Sequence, residues 1–412
     1  TRLSISKKLN NIEMLKTRDL LIEIGTEELP PKSLKSLATA FSEQMCLALN
    51  EVELDFNDTS WYATPRRLSL LITDLDIIQK DKEHQRRGPS LSVAFDKNEN
   101  PTQATVGFAK SCGVEVKELE KLESGKGAWL VFNTILKGKK TNEIIPGLVE
   151  KSLERLPIAK RMRWGNYNIE FVRPIKWILI LFGNKTLNCE ILGIKSVATS
   201  FGHRYHHPDA LEIKSPSEYS NILRKKGHVI VDYNERLSLI RSQISSIAKN
   251  SKGNAIIDPG LLDEVTSLVE WPVSFIGNFD PEFLKLPKEV LIATMQDNQK
   301  YFPVTNDKKE LMPLFICVSN IESNNLELIK KGNERVIRPR LSDAVFFWEW
   351  DLKYGLKNHR QSLKEVVYQK DLGTLYDKSE RLVKTLSLIG EKINLDIDSA
   401  KTAAALCLCD LL

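Results

Sequence analysis

The spacing of apolar residues changes near residue 320, and this change constrains the fold more than any other feature of the 412-residue chain. Before it, short apolar runs suited to strands alternate with segments of helical period. Leu20 to Ile24 is one run, ended by Gly25, after which Leu34, Leu37, Ala38, Phe41 and Met45 recur at helical spacing. Strands are also expected over Thr64–Leu75, from Trp129, around "WILILF" (177–182) and at "GHVIVDY" (227–233). Helices are expected over about 141–156 and after Tyr233, where Leu237, Ile240, Ile244 and Ile247 share one face. Beyond 320 nearly every segment has the helical period. The expected class is therefore α+β, a mixed α and β part followed by an all-helical part. The predicted regions are 14–155 and 156–320, both α+β, and 321–412, helical.

Composition excludes several classes. Apolar residues make up 42% and charged residues 27%, as in globular proteins. No stretch approaches the roughly 18 apolar residues of a membrane helix. The first residues lack an apolar signal core, so residues 1–13 read as an extension before a start at Met14. Six scattered cysteines form no C-x-x-C pair, which points to free thiols in a reducing, cytoplasmic setting. The last residues, "DSAKTAAALCLCDLL", read as a helix in mid-course, as if the natural chain continued.

Net charge is +5, from 59 basic and 54 acidic residues, so clustering carries more information than the total. Residues 151–176 hold seven basic residues, including Arg161, Arg163, Arg173 and Lys176, against Glu154 and Glu170. Trp164 and Tyr167 interleave with them. Arginine forks suit phosphate and exposed aromatics stack on bases, whereas the plain alternative is a solvated charged face. Further clusters are Arg66–Arg67, Arg86–Arg87, and Arg335, Arg338 and Arg340 in "KGNERVIRPR". With Lys195, His203, Arg204, His206 and His207 as a fifth, these basic clusters on a nearly neutral chain favour a polyanionic partner.

"SFGHRYHHP" (200–208) holds His203, His206 and His207 beside Arg204, with Lys195 upstream. Four readings stay open: metal ligation, a catalytic base, core packing, and a hydrogen-bonding surface for phosphate. Metal ligation lacks a Cys, Asp or Glu at a familiar spacing. "SGKGAWL" (124–130) lacks the glycines and the following helix of a phosphate loop, and "GNER" lacks the glycines expected before it, so no complete ATP site is found.

Several long stretches resemble one family: "LLIEIGTEELPPKSL", "YATPRRLSLLI", "KRMRWGNYNIEFVRPIKWILILFG", "EILGIKSVATSFGHRYHHP" and "KGNERVIRPRLSDAVFFWEWDLK". They are similar to the beta subunit of bacterial tetrameric glycyl-tRNA synthetase. The resemblance implies a ligase subunit that binds tRNA(Gly), with ATP, Mg and glycine held by a separate alpha subunit and no cofactor or metal on this chain. It implies an assembly of two alpha and two beta chains. It also implies a middle region with an editing-domain-like fold, similar to that of the phenylalanyl-tRNA synthetase beta chain, then a degenerate HD-like helical region. A C-terminal anticodon-binding domain would lie beyond this sequence. No His-Asp pair occurs, which weighs against hydrolysis in the helical region.

The expected tRNA-facing residues are Arg161, Arg163, Trp164, Arg173, Lys195, His203, Arg204, His206, His207, Arg335, Arg338 and Arg340. No catalytic residue is assigned. The alternative is a metal-dependent hydrolase or editing module built on His203, His206 and His207. "AVFFWEW" (344–350) reads first as core, and otherwise as apolar surface toward the alpha subunit.

Overall fold

The computed structural model describes residues 17–96, 99–124, 127–166, 168–390 and 392–412. Residues 1–13, Met14, Tyr167 and part of "SGKGAWL" lie outside them. Contacts divide the chain into two units. One is formed by the chain up to Leu239 with Leu262–Pro272, the other by Ile240–Leu261 and Val273–Leu412. This division differs from the three regions expected from sequence texture.

The first unit is built on five antiparallel strands: β1 (Thr17–Thr26), β2 (Asp58–Thr64), β3 (Arg67–Asp76), β4 (Ile175–Phe182) and β5 (Lys185–Thr186). Their order is β5-β4-β1-β3-β2. Side chains alternate between the two faces. Leu20, Ile22 and Ile24 of β1, Leu68, Leu70 and Ile72 of β3, and Ile178 and Ile180 of β4 join one core. Helices α1 (Pro31–Glu51) and α2 (Thr141–Glu154) cover this face with Leu34, Leu37, Phe41, Met45, Ile145 and Val149. Proline at the first position of α1 lacks only a donor that a helix start leaves unused anyway.

The opposite face is split. Leu21, Leu179 and Leu181 pack with Leu211, Ile213, Tyr219, Leu223, Val229 and Val231. Farther along the same face the strands present Glu23, Arg67, Ser69 and Trp177, all buried. The register pairs Glu23 with Ser69 and Leu179, and Gly25 with Arg67 and Trp177. A β-carbon on Gly25 would lie 2.0 Å from the Trp177 ring, so only glycine admits this indole.

"GHVIVDY" departs from the expected strand. Val229, Ile230 and Val231 are buried but join no sheet. Their backbone is satisfied by isolated bonds: Ala63 N–H donates to Val231 O (3.2 Å) and Ile230 N–H to Glu270 O (3.0 Å). Burial, not strand pairing, accounts for this apolar run.

The second unit has a four-stranded antiparallel sheet of β6 (Asn254–Ala255), β7 (Val273–Asn278), β8 (Phe302–Thr305) and β9 (Leu311–Ser319), in the order β6-β8-β9-β7. Phe279, Phe283, Met295, Tyr301 and Phe315 form its core with Ile337 and Leu341 of α3 (Leu326–His359). The backbone of α3 breaks at Gly355, whose φ is 60°. Two further helices, α4 (Leu375–Gly390) and α5 (Ile397–Leu406), pack together. The last region is thus mostly helical, with one added strand pair, Val367–Gln369 with Gly373–Thr374. The aromatics of "AVFFWEW" correct the core reading. The buried row of α3 is Ile337 and Leu341, continued by half-buried Ala344 and Val345. Phe346, Phe347 and Trp350 fall outside that row and are exposed.

Candidate functional site

The interior of the first unit holds a charge network. Glu270 accepts hydrogen bonds from Thr64 Oγ1 (2.7 Å), Arg66 Nη2 (2.8 Å), Arg66 Nε (3.2 Å) and Arg67 Nη2 (3.3 Å). Glu23 lies 3.6 Å from Arg67 and accepts from Ser200 Oγ (2.6 Å) and from the Trp177 indole. The Arg67 guanidinium also sits over the Trp177 ring. Burial works against the Arg67 charge, but Glu23 and Glu270 outweigh it and hold the group above its ordinary pKa. Burial likewise pushes the Glu270 carboxyl up, and Arg67 and Arg66 outweigh that and hold it below the usual range. Arg236 differs. Its hydrogen bonds go to the carbonyls of Ala63, Ile230, Asp232 and Thr266, and burial brings its pKa down to about 10.

Arg66 and Arg67 therefore leave the list of basic clusters available to a polyanion. They hold the 200–208 loop instead. Arg67 donates to Ser200 Oγ (3.1 Å) and Phe201 O (2.8 Å), and Arg66 donates to Gly202 O (2.6 Å).

The histidines resolve into different roles. His203 is 2% exposed, which corrects its assignment as RNA-facing. Its N–H donates to Gly227 O (2.7 Å), and its Nδ1 accepts from the N–H groups of Tyr205 and His206, both at 3.2 Å. The imidazole thus closes the turn that carries the loop. His206 is half-buried and packs between His203 (4.8 Å) and His228 (5.2 Å), and His228 meets Trp271 edge-on. His207 is half-buried as well. What reaches outward from the turn is Arg204, with Tyr205 at 69% exposure. Among the described residues no three His, Cys, Asp or Glu side chains are grouped so as to hold a metal ion. Nothing in this geometry favours the hydrolase alternative.

The 151–176 cluster is partly structural too. Arg161 is exposed and donates to Glu154 O (2.8 Å). Arg163 is exposed and pairs with Glu170 (2.6 Å) across the short hairpin Met162–Arg163 with Glu170–Phe171. Trp164 packs half-buried against the main core, so it is not the free stacking surface expected. Arg173 is half-buried, donating to Val172 O (2.9 Å) with Met162 Sδ 3.9 Å away. Lys195 is exposed on a neighbouring two-residue strand. In the second unit Arg335, Arg338 and Arg340 are exposed on α3, and Arg338 lies 3.8 Å from Asp280.

Two distant motifs meet at Glu27. Pro174 O accepts from Glu27 N–H (2.9 Å), Lys176 Nζ lies 3.1 Å from Glu27 Oε1, and Arg204 Nη2 lies 2.9 Å from Glu27 Oε2. Arg204 also approaches Glu28, at 3.7 Å. Hydrogen bonding from Lys176, with Arg204 beside it, lowers the Glu27 pKa although partial burial opposes this. Lys176, counted only as a member of the 151–176 cluster, and Tyr205 were not among the residues expected to face tRNA. The alternation of β4 was the available signal for Lys176, which lies before the buried run and is exposed.

Comparison with known proteins agrees with the resemblance. The family model of the glycyl-tRNA synthetase beta subunit matches residues 20–412. The chain is 48% identical over 394 residues to the glycine–tRNA ligase beta subunit of Hahella chejuensis. It is 46% identical to that of Marinobacter nauticus and 44% identical to one from Pseudomonas aeruginosa. Each match covers 96% of this chain and 57% of the relative. The chain therefore spans a little over half the length of these curated relatives. No helix among the described residues is long and apolar enough to cross a membrane. With the family model matching almost the whole chain, the protein belongs to the glycyl-tRNA synthetase beta subunit family.

Proposed function

We propose that this chain binds tRNA(Gly) as part of a glycine–tRNA ligase. It orients the terminal hydroxyl toward glycyl-adenylate held by an alpha subunit, which supplies the ATP, Mg and glycine site. In this reading the chain itself carries no catalytic residue. Its contribution is positional, removing the entropic cost of bringing two reactants into register. Two alpha and two beta chains form the working assembly, in the cytoplasm. The middle region acts as an editing-domain-like scaffold turned to binding, and the helical region is a degenerate HD-like fold.

The observation that supports the reading is the set of exposed basic side chains in the first unit. Arg161 lies just before the hairpin and Arg163 on it, and farther along the chain Lys176 meets Arg204 at Glu27. Arg335, Arg338 and Arg340 offer a second exposed group for phosphate. The test is a titration with tRNA(Gly) and an unrelated tRNA across a salt series. Each phosphate contact contributes about 0.7–0.9 to the log–log salt slope, so Arg161→Ala with Arg163→Ala lowers it by up to about 2. Absence of salt-sensitive binding, or a slope unmoved by the two substitutions, refutes the assignment of this surface.

A further inference from the structure

Beneath Arg204 lies a pocket of about 480 Å³, lined by Thr26, Glu27, Lys176, Trp177, Phe201 and Arg204 among others. All belong to the first unit, and the volume lies within the range of small-ligand sites. We infer that this pocket takes one unpaired ribonucleotide of a bound RNA, a reading that rests on the RNA-binding function proposed above.

The lining supplies a counterpart for each part of a nucleotide. Half-buried Phe201 packs on the largely buried Trp177, with ring centroids 4.9 Å apart and planes at 58°. A base can lie against the accessible part of Phe201 whatever its sequence. Lys176 and Arg204 stand at the mouth with exposed charged ends, suited to the phosphate. At present both are satisfied by opposite oxygens of Glu27, and Arg204 is also near Glu28. Exposed pairs of this kind are weak, so phosphate can replace Glu27 at either cation with little loss. A Glu27 oxygen released in that exchange accepts a hydrogen bond from a ribose hydroxyl.

Thr26 adds an independent sign. It lines the cavity and is 1% exposed, yet its hydroxyl has no hydrogen-bond partner in the protein. A buried hydroxyl without a partner is uncommon. The neighbouring cation Arg66 is already committed to Glu270 and Gly202 O. The Lys176–Glu27–Arg204 rim is what must open, and a ribose 2′-hydroxyl or a base edge then supplies the partner that the Thr26 hydroxyl lacks.

The experiment uses the full chain, with fluorescence anisotropy of three labelled probes: tRNA(Gly), a single-stranded tetraribonucleotide and its deoxy counterpart. The variants are Thr26→Val and the pair Lys176→Ala, Arg204→Ala, each checked for a wild-type melting curve. Valine removes only an unpartnered hydroxyl, so Thr26→Val keeps the fold. The expected result is tighter binding of the ribo than the deoxy probe, about fivefold weaker ribo binding in Thr26→Val, and tenfold or greater weakening in the double variant. Salt-sensitive tRNA binding with no effect of these variants, or equal binding of ribo and deoxy probes, overturns the pocket assignment and leaves the function standing. Binding of free AMP as tight as the tetranucleotide assigns the pocket to a free nucleotide and also overturns it. Failure of the wild type to bind tRNA at low salt overturns both.

Discussion

Glu270→Gln is the substitution whose consequence follows most directly from the structure. It preserves the shape of the side chain and removes one negative charge from a site that is 2% exposed. Thr64, Arg66 and Arg67 all donate to this carboxylate, Arg66 through both Nε and Nη2. A glutamine accepts at one oxygen only and turns an N–H₂ group toward a guanidinium. Arg67 would keep Glu23, 3.6 Å away, while Arg66 would lose the carboxylate it donates to. Charge-assisted bonds contribute about 1.5–3 kcal/mol each, but such values are not additive within one network. Removal of one partner of a buried pair costs about 3–5 kcal/mol, because a charge is left uncompensated. For a unit of this size each kcal/mol moves the midpoint by about 2–4 °C, so the shift is about 6–20 °C. Calorimetry of wild type and variant reads it directly, and a loss below about 1 kcal/mol would refute the reasoning. The pH dependence is a second check. The folded-state pKa of Glu270 is depressed, so its stabilisation is fully present above the unfolded value of about 4.3 and is lost as pH falls through the folded value. The gap between wild type and variant should stay constant from pH 8 to about pH 5 and close below that. A gap that closed on raising the pH would have the wrong sign.

Two further predictions concern the second unit. A β-carbon at Gly277 would lie 2.4 Å from the buried Phe315 ring, so Gly277→Ala should cost about 1–3 kcal/mol by overpacking. Gly332, within α3, has nothing within 4 Å of such a carbon, so Gly332→Ala should stabilise by about 0.5–1 kcal/mol; urea melts of both variants separate the two effects. Desolvation pushes the half-buried Cys317 thiol up to about 12, whereas Cys407 is exposed. Thiol labelling at pH 8 followed by mass spectrometry should modify Cys407 within minutes and Cys317 far more slowly; equal rates would contradict the raised pKa of Cys317.

Several elements were legible because their signal is local. The alternation of β1 and the helical spacing of α1 are properties of adjacent residues, and each formed within a few residues of its expected bounds. "GHVIVDY" failed for the complementary reason. An apolar run reports burial but not whether a neighbouring strand offers its edge, and here the backbone bonds go to scattered residues such as Ala63, Leu223 and Glu270. Trp164 and Phe346 show the same limit in opposite directions, one aromatic among arginines turned toward the core and one in an apolar run left exposed.

Family membership and the positions of the first strand and helix are determined by the sequence by itself, since they rest on local pattern and long idiosyncratic stretches. Which charges belong to the interior was decided only by the tertiary structure. In "TPRRL" both arginines look like surface. Their counter-charge, Glu270, follows more than 200 residues later, and only folding brings it within 3 Å of Arg66. The same holds for Glu27, Lys176 and Arg204, which no spacing rule connects. Whether a charge is solvated or paired depends on the dielectric around it and on partners remote in the chain. Local sequence carries neither.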